Sequence, residues 1–280
     1  MKTAANKTIR TIAVTSGKGG VGKTSFAVNL AVGLSKLNKK VLILDADLGL
    51  SNIDIMLNIT TKYHIGHLLS GEKKIEELIV EGPHGIKLLP ASAGIQELTT
   101  LDQSQRLKFI EALDSYTKDI DFLLIDTGAG ISKNVAFFCM AAQEIIVITT
   151  PEPTAITDAY AIIKVLFTKH KEKNFKILVN SVKDSKEAQA VYKNLSTVTE
   201  KFLNISLDYV GFLPYTRSAS KAVRAQKAII DLYPDSDLSK CLMEIATNIS
   251  SMQDDPRVKG TPQFFLGNLL KGNEDVHSYS

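Results

Sequence analysis

Residues 17–24 read Gly-Lys-Gly-Gly-Val-Gly-Lys-Thr, and the spacing is that of a phosphate-binding P-loop, G-x-x-x-x-G-K-[ST]. Gly17, Gly19, Gly20 and Gly22, with Val21 among them, let backbone N–H groups curl around phosphate oxygens. Lys23 reaches the β- and γ-phosphates, the Thr24 hydroxyl suits Mg²⁺, and Ser25 follows in the first helical turn. The competing reading is a chance glycine-rich turn, and the context argues against it. Ile12-Ala-Val-Thr15 is a short apolar run before the loop, and Phe26, Leu30, Leu34 and Leu37 recur at helical spacing after it. A strand, a loop and a helix in that order set the phosphate at a helix N-terminus.

Hydrolysis of a nucleoside triphosphate also needs a metal, charge stabilisation and a positioned water. Asp126 ends the apolar run Phe122-Leu-Leu-Ile and suits a Walker B carboxylate, holding Mg²⁺ directly or through water. Asp45 and Asp47 end an earlier run, and strand alternation sends both carboxylates to one side. Asp45 is expected to support the metal shell and Asp47, further out, to orient water. The plain alternative for both is turn or helix capping. Gly128 and Gly130 allow close backbone approach to the γ-phosphate, so Asp126–Gly130 reads as a switch loop. Asn180 and Pro214 stand at the ends of later strands. A side-chain amide such as that of Asn180 can read an adenine edge, or it can simply end a strand in a turn.

These groups come from distant parts of the chain, and the elements between them must bring them to one edge. Strands are expected near Thr11–Thr15, Val41–Asp45, Ile86–Pro90, Phe122–Asp126, Ile145–Thr149, Phe175–Asn180 and Leu207–Phe212. Several are continuously apolar, as strands buried on both faces of a parallel sheet must be. Helical patterns lie between them, including Ser104–Tyr116, Ala155–Phe167, Lys186–Phe202 and Leu238–Ile249. The alternation predicts an α/β fold, a doubly wound and mainly parallel sheet flanked by helices, with ligands beyond the carboxyl ends of the strands.

The 280 residues are 44% hydrophobic with a net charge of +3, which describes a chain with a sizeable core and no strong nucleic-acid footprint. Direct DNA binding is therefore not expected. Cys139 and Cys241 form no metal spacing, and two buried thiols in a reducing cytoplasm fit that pattern. No signal-peptide core or membrane-span length of apolar sequence is present.

Lys18 is surplus to the general P-loop template. With it, the loop resembles the deviant Walker A motif of the ParA/MinD family. Asp45-Ala-Asp-Leu-Gly-Leu-Ser-Asn-Ile-Asp-Ile-Met-Leu57 is similar to switch I of the MinD branch, and its Asp-Ala-Asp-Leu-Gly-Leu-x-Asn-x-Asp form is typical of the flagellar-number subfamily, called FlhG or FleN. Asp126-Thr-Gly-Ala-Gly-Ile131, Glu152–Ala161 and Tyr209–Tyr215 extend the resemblance, which runs from about residue 9 to 271. It implies a P-loop ATPase that binds ATP or ADP with Mg²⁺ and forms a homodimer with ATP. By motif match Lys18 would act across the dimer, Asp47 would position water, Asn52 would lie at the interface, and Asn180 and Pro214 would contact adenine. The resemblance further implies the GTPase FlhF and a FleQ-like flagellar transcription activator as partners. It places the protein in the cytoplasm with reversible attachment to the inner membrane face, at the pole. Two departures stand out. The Asp-Gln-Ala activation helix of some relatives is absent from Met1–Thr8, and Gly128 stands where many relatives have Ala.

The organisation expected is an ATPase domain over 1–252, a linker over 253–261, an amphipathic segment over 262–271 and a polar tail over 272–280. In the segment Phe265, Leu266, Leu269 and Leu270 share one helical face, with Phe264 beside it. Such a segment suits weak membrane attachment through these five residues, or docking in a groove of its own domain. Two other functions share the P-loop. A ParA-type DNA-segregation ATPase would need a basic surface, and a metabolic ligase would form ADP only with its substrate. An iron-protein reductase would need bridging cysteines, which Cys139 and Cys241 do not supply.

Overall fold

The computed structural model describes residues 9–47, 52–90, 102–116, 120–252 and 263–265. Its strands are β1 (Arg10–Ser16), β2 (Val41–Ala46), β3 (Val80–Glu81), β4 (Lys87–Leu89), β5 (Phe122–Ala129), β6 (Glu144–Thr149), β7 (Phe175–Val182) and β8 (Leu207–Pro214). They form one sheet in the order β3-β4-β2-β5-β1-β6-β7-β8. Every pairing is parallel except that of the two-residue edge strand β3 with β4. The doubly wound, mainly parallel sheet expected from the sequence is therefore present. β3 was not expected, because two residues are too few to show a period.

The helices are α1 (Lys23–Lys36), α2 (Ile53–Met56), α3 (Ile65–Ser70), α4 (Ile75–Leu78), α5 (Gln103–Ser115), α6 (Lys133–Ala141), α7 (Pro153–His170), α8 (Ser185–Leu203), α9 (Arg217–Arg224), α10 (Ile229–Leu232) and α11 (Asp237–Ser251). Their starts follow local chemistry. Asp102 and Gln105 form a reciprocal capping box on α5, Ser132 caps α6, Asp184 caps α8 and Ser236 caps α11, each satisfying an N–H that the helix leaves free.

Strand alternation divides the core into two layers. Phe122 and Leu124 of β5 join Phe26, Leu30 and Leu34 of α1 and Leu242, Ile245 and Ile249 of α11. Leu123 and Ile125 face the other way, onto Phe109 of α5, Phe138 of α6 and Ile162 and Leu166 of α7. Gly33 lets α1 lie against α11, since a Cβ there would sit 2.9 Å from the Ala246 methyl.

The second layer holds the described part of the C-terminal segment. Phe264 is fully buried and Phe265 is 2% exposed. The Phe264 N–H donates to the Ala141 carbonyl at 2.9 Å, and that of Phe265 to the Asp114 carboxylate at 2.6 Å. The Phe264 ring meets Phe109 and Phe137 edge-on at 5.9 and 6.2 Å between centroids. These two phenylalanines were expected either at a membrane or in a groove of their own domain. Here both are buried within the domain, because the gap between the ends of α5 and α6 offers two large apolar rings full burial. Leu266, Leu269 and Leu270 lie outside the described residues, as do the linker and polar tail.

Candidate nucleotide-binding site

The P-loop joins the end of β1 to the start of α1, and two of its glycines are there for space. A Cβ on Gly17 would lie 2.0 Å from the backbone oxygen of Asp158 in α7. One on Gly22 would lie 2.4 Å from the Asn180 amide nitrogen, and Gly22 also has φ +95, a conformation that side chains strain. The loop is tied down from both sides. The Ser16 hydroxyl donates to the Lys18 carbonyl at 2.6 Å, and Asn180 Nδ2 donates to the Val21 carbonyl at 2.7 Å.

The two loop lysines have opposite surroundings. Lys23 is buried beside Asp126 and Asp47. Burial lowers its pKa, and the attraction of the two carboxylates only partly offsets this. Lys18 is at the surface, 39% exposed, with its Nζ 2.6 Å from Glu152 and 3.0 Å from the Thr154 hydroxyl. Its ammonium is thus bound at the start of α7, whereas that of Lys23 lies among the carboxylates at the inner end of the loop.

Asp126 is 1% exposed, pairs with Asp45 across β5 and β2, and is hydrogen bonded by the Thr24 hydroxyl. Burial pushes its pKa up to about 7, with Asp45 and Asp47 adding to the rise and Thr24 and Lys23 opposing it. Its Oδ1 is buried with no hydrogen-bond partner. A buried, unsatisfied carboxylate oxygen beside a hydroxyl is a hard-donor pair, which fits Mg²⁺ completed by phosphate oxygens and water. Among the described residues no cluster of three or more His, Cys, Asp or Glu could hold a metal by itself.

Asp45 has a second task. Its carboxylate accepts from the backbone N–H groups of Asp47, Asn52 and Ile53 at 3.2, 3.2 and 3.4 Å, tying the end of β2 to the start of α2. Asp47 lies against the opposite strand, where a Cβ on Gly128 would meet its Oδ1 at 3.5 Å. That is ordinary contact, so Gly128 is not required sterically. The segment read as a switch loop from Asp126 onward is β-strand through Ala129, and only Gly130, at φ +88, leaves the sheet. Thr127 explains the extension: its hydroxyl donates to the Val14 carbonyl. Asn52 is exposed and precedes α2.

Asn180 and Pro214 come together with Gly20, Gly22 and Ser25 around a cavity of about 440 Å³ beside the P-loop, a size that admits a nucleoside. Its wall includes Asn29, which sequence reasoning passed over. The Asn29 amide donates to the Ser25 carbonyl at 2.7 Å, and its oxygen accepts from Ile229 N–H at 2.9 Å. The signal was a polar residue on the apolar stripe of α1. Glu152, the partner of Lys18, was visible only as the first residue of the segment Glu152–Ala161, without a role of its own. Cys139 is buried in α6 and Cys241 half-buried in α11, and neither lines the cavity.

Comparison with known proteins agrees with this geometry. A family profile described as "ParA: NUBPL iron-transfer P-loop NTPase" matches residues 7–250. The antiactivator FleN of Pseudomonas aeruginosa is 38% identical over 263 residues, 94% of each chain. The flagellum site-determining protein YlxH of Helicobacter pylori is 36% identical over 236 residues, 84% of this chain and 80% of that one. Among solved structures, a chain of the MinC:MinD cell division complex of Aquifex aeolicus superposes with a TM-score of 0.73 at 26% identity, covering 89% of this chain and 98% of its own.

Proposed function

Because this chain belongs to the ParA/MinD family of P-loop ATPases, we propose that it is a MinD-like switch that pairs with a second copy of itself on binding ATP and thereby limits flagellar number. The observation that carries the proposal is the split between the two lysines. Lys23 is buried at the phosphate cradle, whereas Lys18 stands at the surface, held at Glu152 and Thr154. A loop cation that its own site does not use is available to the phosphates of a second subunit.

The residues divide the work as follows. Backbone N–H groups of Gly19–Thr24 and the Lys23 ammonium bind the phosphates, which the helix N-terminus also favours. Thr24 and Asp126 would hold Mg²⁺, with Asp45 fixing the neighbouring backbone. Bound there, Mg²⁺ supplies charge neutralisation on the phosphate oxygens. Asp47 orients the attacking water from its place opposite Gly128. Asn180 and Pro214 border the base, while Asn180 also steadies the loop through Val21. Lys18 of the facing subunit adds positive charge where the transition state develops negative charge. Hydrolysis removes that attraction and the pair separates.

The relatives' names support the biological reading: one is an antiactivator and the other determines flagellar site. In this reading the paired state engages a FleQ-like transcription activator and the FlhF GTPase, and the C-terminal segment attaches to the inner membrane face. No helix among the described residues is long and apolar enough to cross a membrane, so attachment would be peripheral. The test is sedimentation with Mg²⁺ and either ATP or ADP. A dimer with ATP and a monomer with ADP are expected, and a monomer under both conditions would contradict the reading.

A further inference from the structure

The cavity beside the P-loop is walled by two helices that are held in different ways. One is α1, which starts at the loop and brings Ser25 and Asn29 to the cavity. The other is α9, which brings Ala219, Ser220, Val223 and Arg224. The core fixes α1, since Phe26, Leu30 and Leu34 are each 1% exposed or less. No such anchor fixes α9. It has eight residues, and Ala222 is the one that it buries. A single buried methyl contributes little to holding a helix, so the place of α9 is set by what flanks it.

On its C-terminal side the chain turns at Gln226, φ +52, and enters α10. Ala228 stands at the capping position of α10 and supplies no side-chain hydrogen bond. Asn29 fills that role from α1. Its Oδ1 accepts from the backbone N–H groups of Ile229 and Ile230 at 2.9 and 3.4 Å, and its Nδ2 donates to the Ser25 carbonyl at 2.7 Å. Asn29 is 3% exposed, so losing its oxygen would leave buried donors unsatisfied. Two further ties hold α10. About two turns along α1, Lys36 pairs with Asp231 at 2.7 Å. From α11, the Ser239 hydroxyl donates to the Tyr233 carbonyl at 2.7 Å. Neither of these lines the cavity, whereas Asn29 and Ile229 both do.

We propose that Asn29 is a positioning residue for nucleoside recognition: by capping α10 from the P-loop helix, it fixes the α9 wall relative to the phosphate loop and so sets the width of the cavity that takes base and ribose. The inference rests on the reading of that cavity as the nucleoside site and goes beyond it. A bare phosphate chain is held by loop N–H groups and Lys23 and makes no use of the wall. Loss of the Asn29 oxygen therefore weakens a ligand that carries a nucleoside and spares one that does not.

The experiment is calorimetric titration of the wild-type chain, Asn29→Leu and Asn29→Asp with Mg²⁺ and either ADP or pyrophosphate. Leucine removes the acceptor, and aspartate keeps it. ADP affinity should fall about tenfold in Asn29→Leu, the size of a lost buried hydrogen bond, while pyrophosphate affinity stays within about twofold. Asn29→Asp should return ADP affinity to within about threefold of wild type, since an acceptor again faces the two N–H groups. Hydrogen exchange at Ile229 and Ile230 should quicken in Asn29→Leu and stay slow in Asn29→Asp. If Asn29→Leu does not fold, Asn29→Ala leaves room for a water at those N–H groups, and its ADP affinity should fall about threefold with pyrophosphate again spared. Equal losses for ADP and pyrophosphate would place the effect in the P-loop helix and overturn the role given to the wall, as would unchanged ADP affinity. A wild type that binds ADP no more tightly than pyrophosphate would instead remove the nucleoside reading of the cavity, and the inference with it.

Discussion

The nucleotide end of the sheet and the α5–α6 flank are built on opposite terms. At the nucleotide end polar groups hold one another. Asp45 ties three backbone N–H groups, Asn180 holds Val21, Asn29 holds Ile229, and Gly17 leaves no room for a methyl. On the flank, apolar surface and charge are left over, with Leu107 exposed and Arg106 Nε unsatisfied near the Phe137 ring. A site that must position a water and a metal gains from having one arrangement. The difference teaches where each kind of damage should register: in turnover at one end, and in stability at the other.

The largest effect should come from Lys23→Ala. It removes the proposed phosphate ligand and is expected to lower ATP turnover by about a thousandfold, or roughly 4 kcal/mol of transition-state stabilisation. Thermal stability should hardly fall, because the lysine's burial is unfavourable to its charge. Steady-state phosphate release and a melting curve on one sample check both halves. A variant that unfolded instead would make the cleft a stability element and erase the contrast.

Phe264→Ala should show the reverse profile. Loss of a fully buried ring is expected to cost about 3 kcal/mol in urea unfolding, with turnover at 25 °C unchanged in the folded protein. Lost turnover at full stability would mean that the flank belongs to the catalytic machinery.

A smaller effect, of order 1–2 kcal/mol after allowance for coupling to its charged neighbours, belongs to Asp126 in metal-free, nucleotide-free protein. Its folded pKa is raised to about 7, from 3.8. Between those values the folded state binds more protons than the unfolded chain, so stability falls as pH rises from about 4 to 7. Asp126→Asn should flatten that decline, and Mg²⁺ with nucleotide should reverse it in the wild type. Unfolding midpoints at pH 5 and pH 8 read the difference, and equal slopes in the two proteins would contradict the burial argument.

Much of this cleft was legible in the sequence because its parts are local or periodic. Val41–Asp45 and Phe122–Asp126 show as strands from their unbroken apolar runs, and both deliver an aspartate to the expected edge. The P-loop is contiguous, so its spacing alone names its ligand. What stayed hidden depends on partners remote in sequence. That Lys18 meets Glu152, that Asn180 grips Val21 as well as bordering the base cavity, and that β5 runs on to Ala129 through the Thr127–Val14 bond are facts of sheet order. The amphipathic period around Phe265 was visible too. That period says only that one face is apolar, and the gap between α5 and α6 that buries Phe264 and Phe265 is made by residues more than a hundred positions away.

The central claim is that each nucleotide site is completed by Lys18 of the other subunit, and mixing two inactive variants tests it most directly. Lys18→Ala and Asp47→Ala should each hydrolyse ATP poorly alone. In a mixed dimer, the site in the Lys18→Ala subunit keeps its own Asp47 and receives Lys18 from its partner. The account predicts that an equal mixture recovers up to roughly a quarter of wild-type turnover, since half the dimers are mixed and one of their two sites is complete. A mixture no more active than the average of its two components would place Lys18 in its own subunit's site and contradict the account.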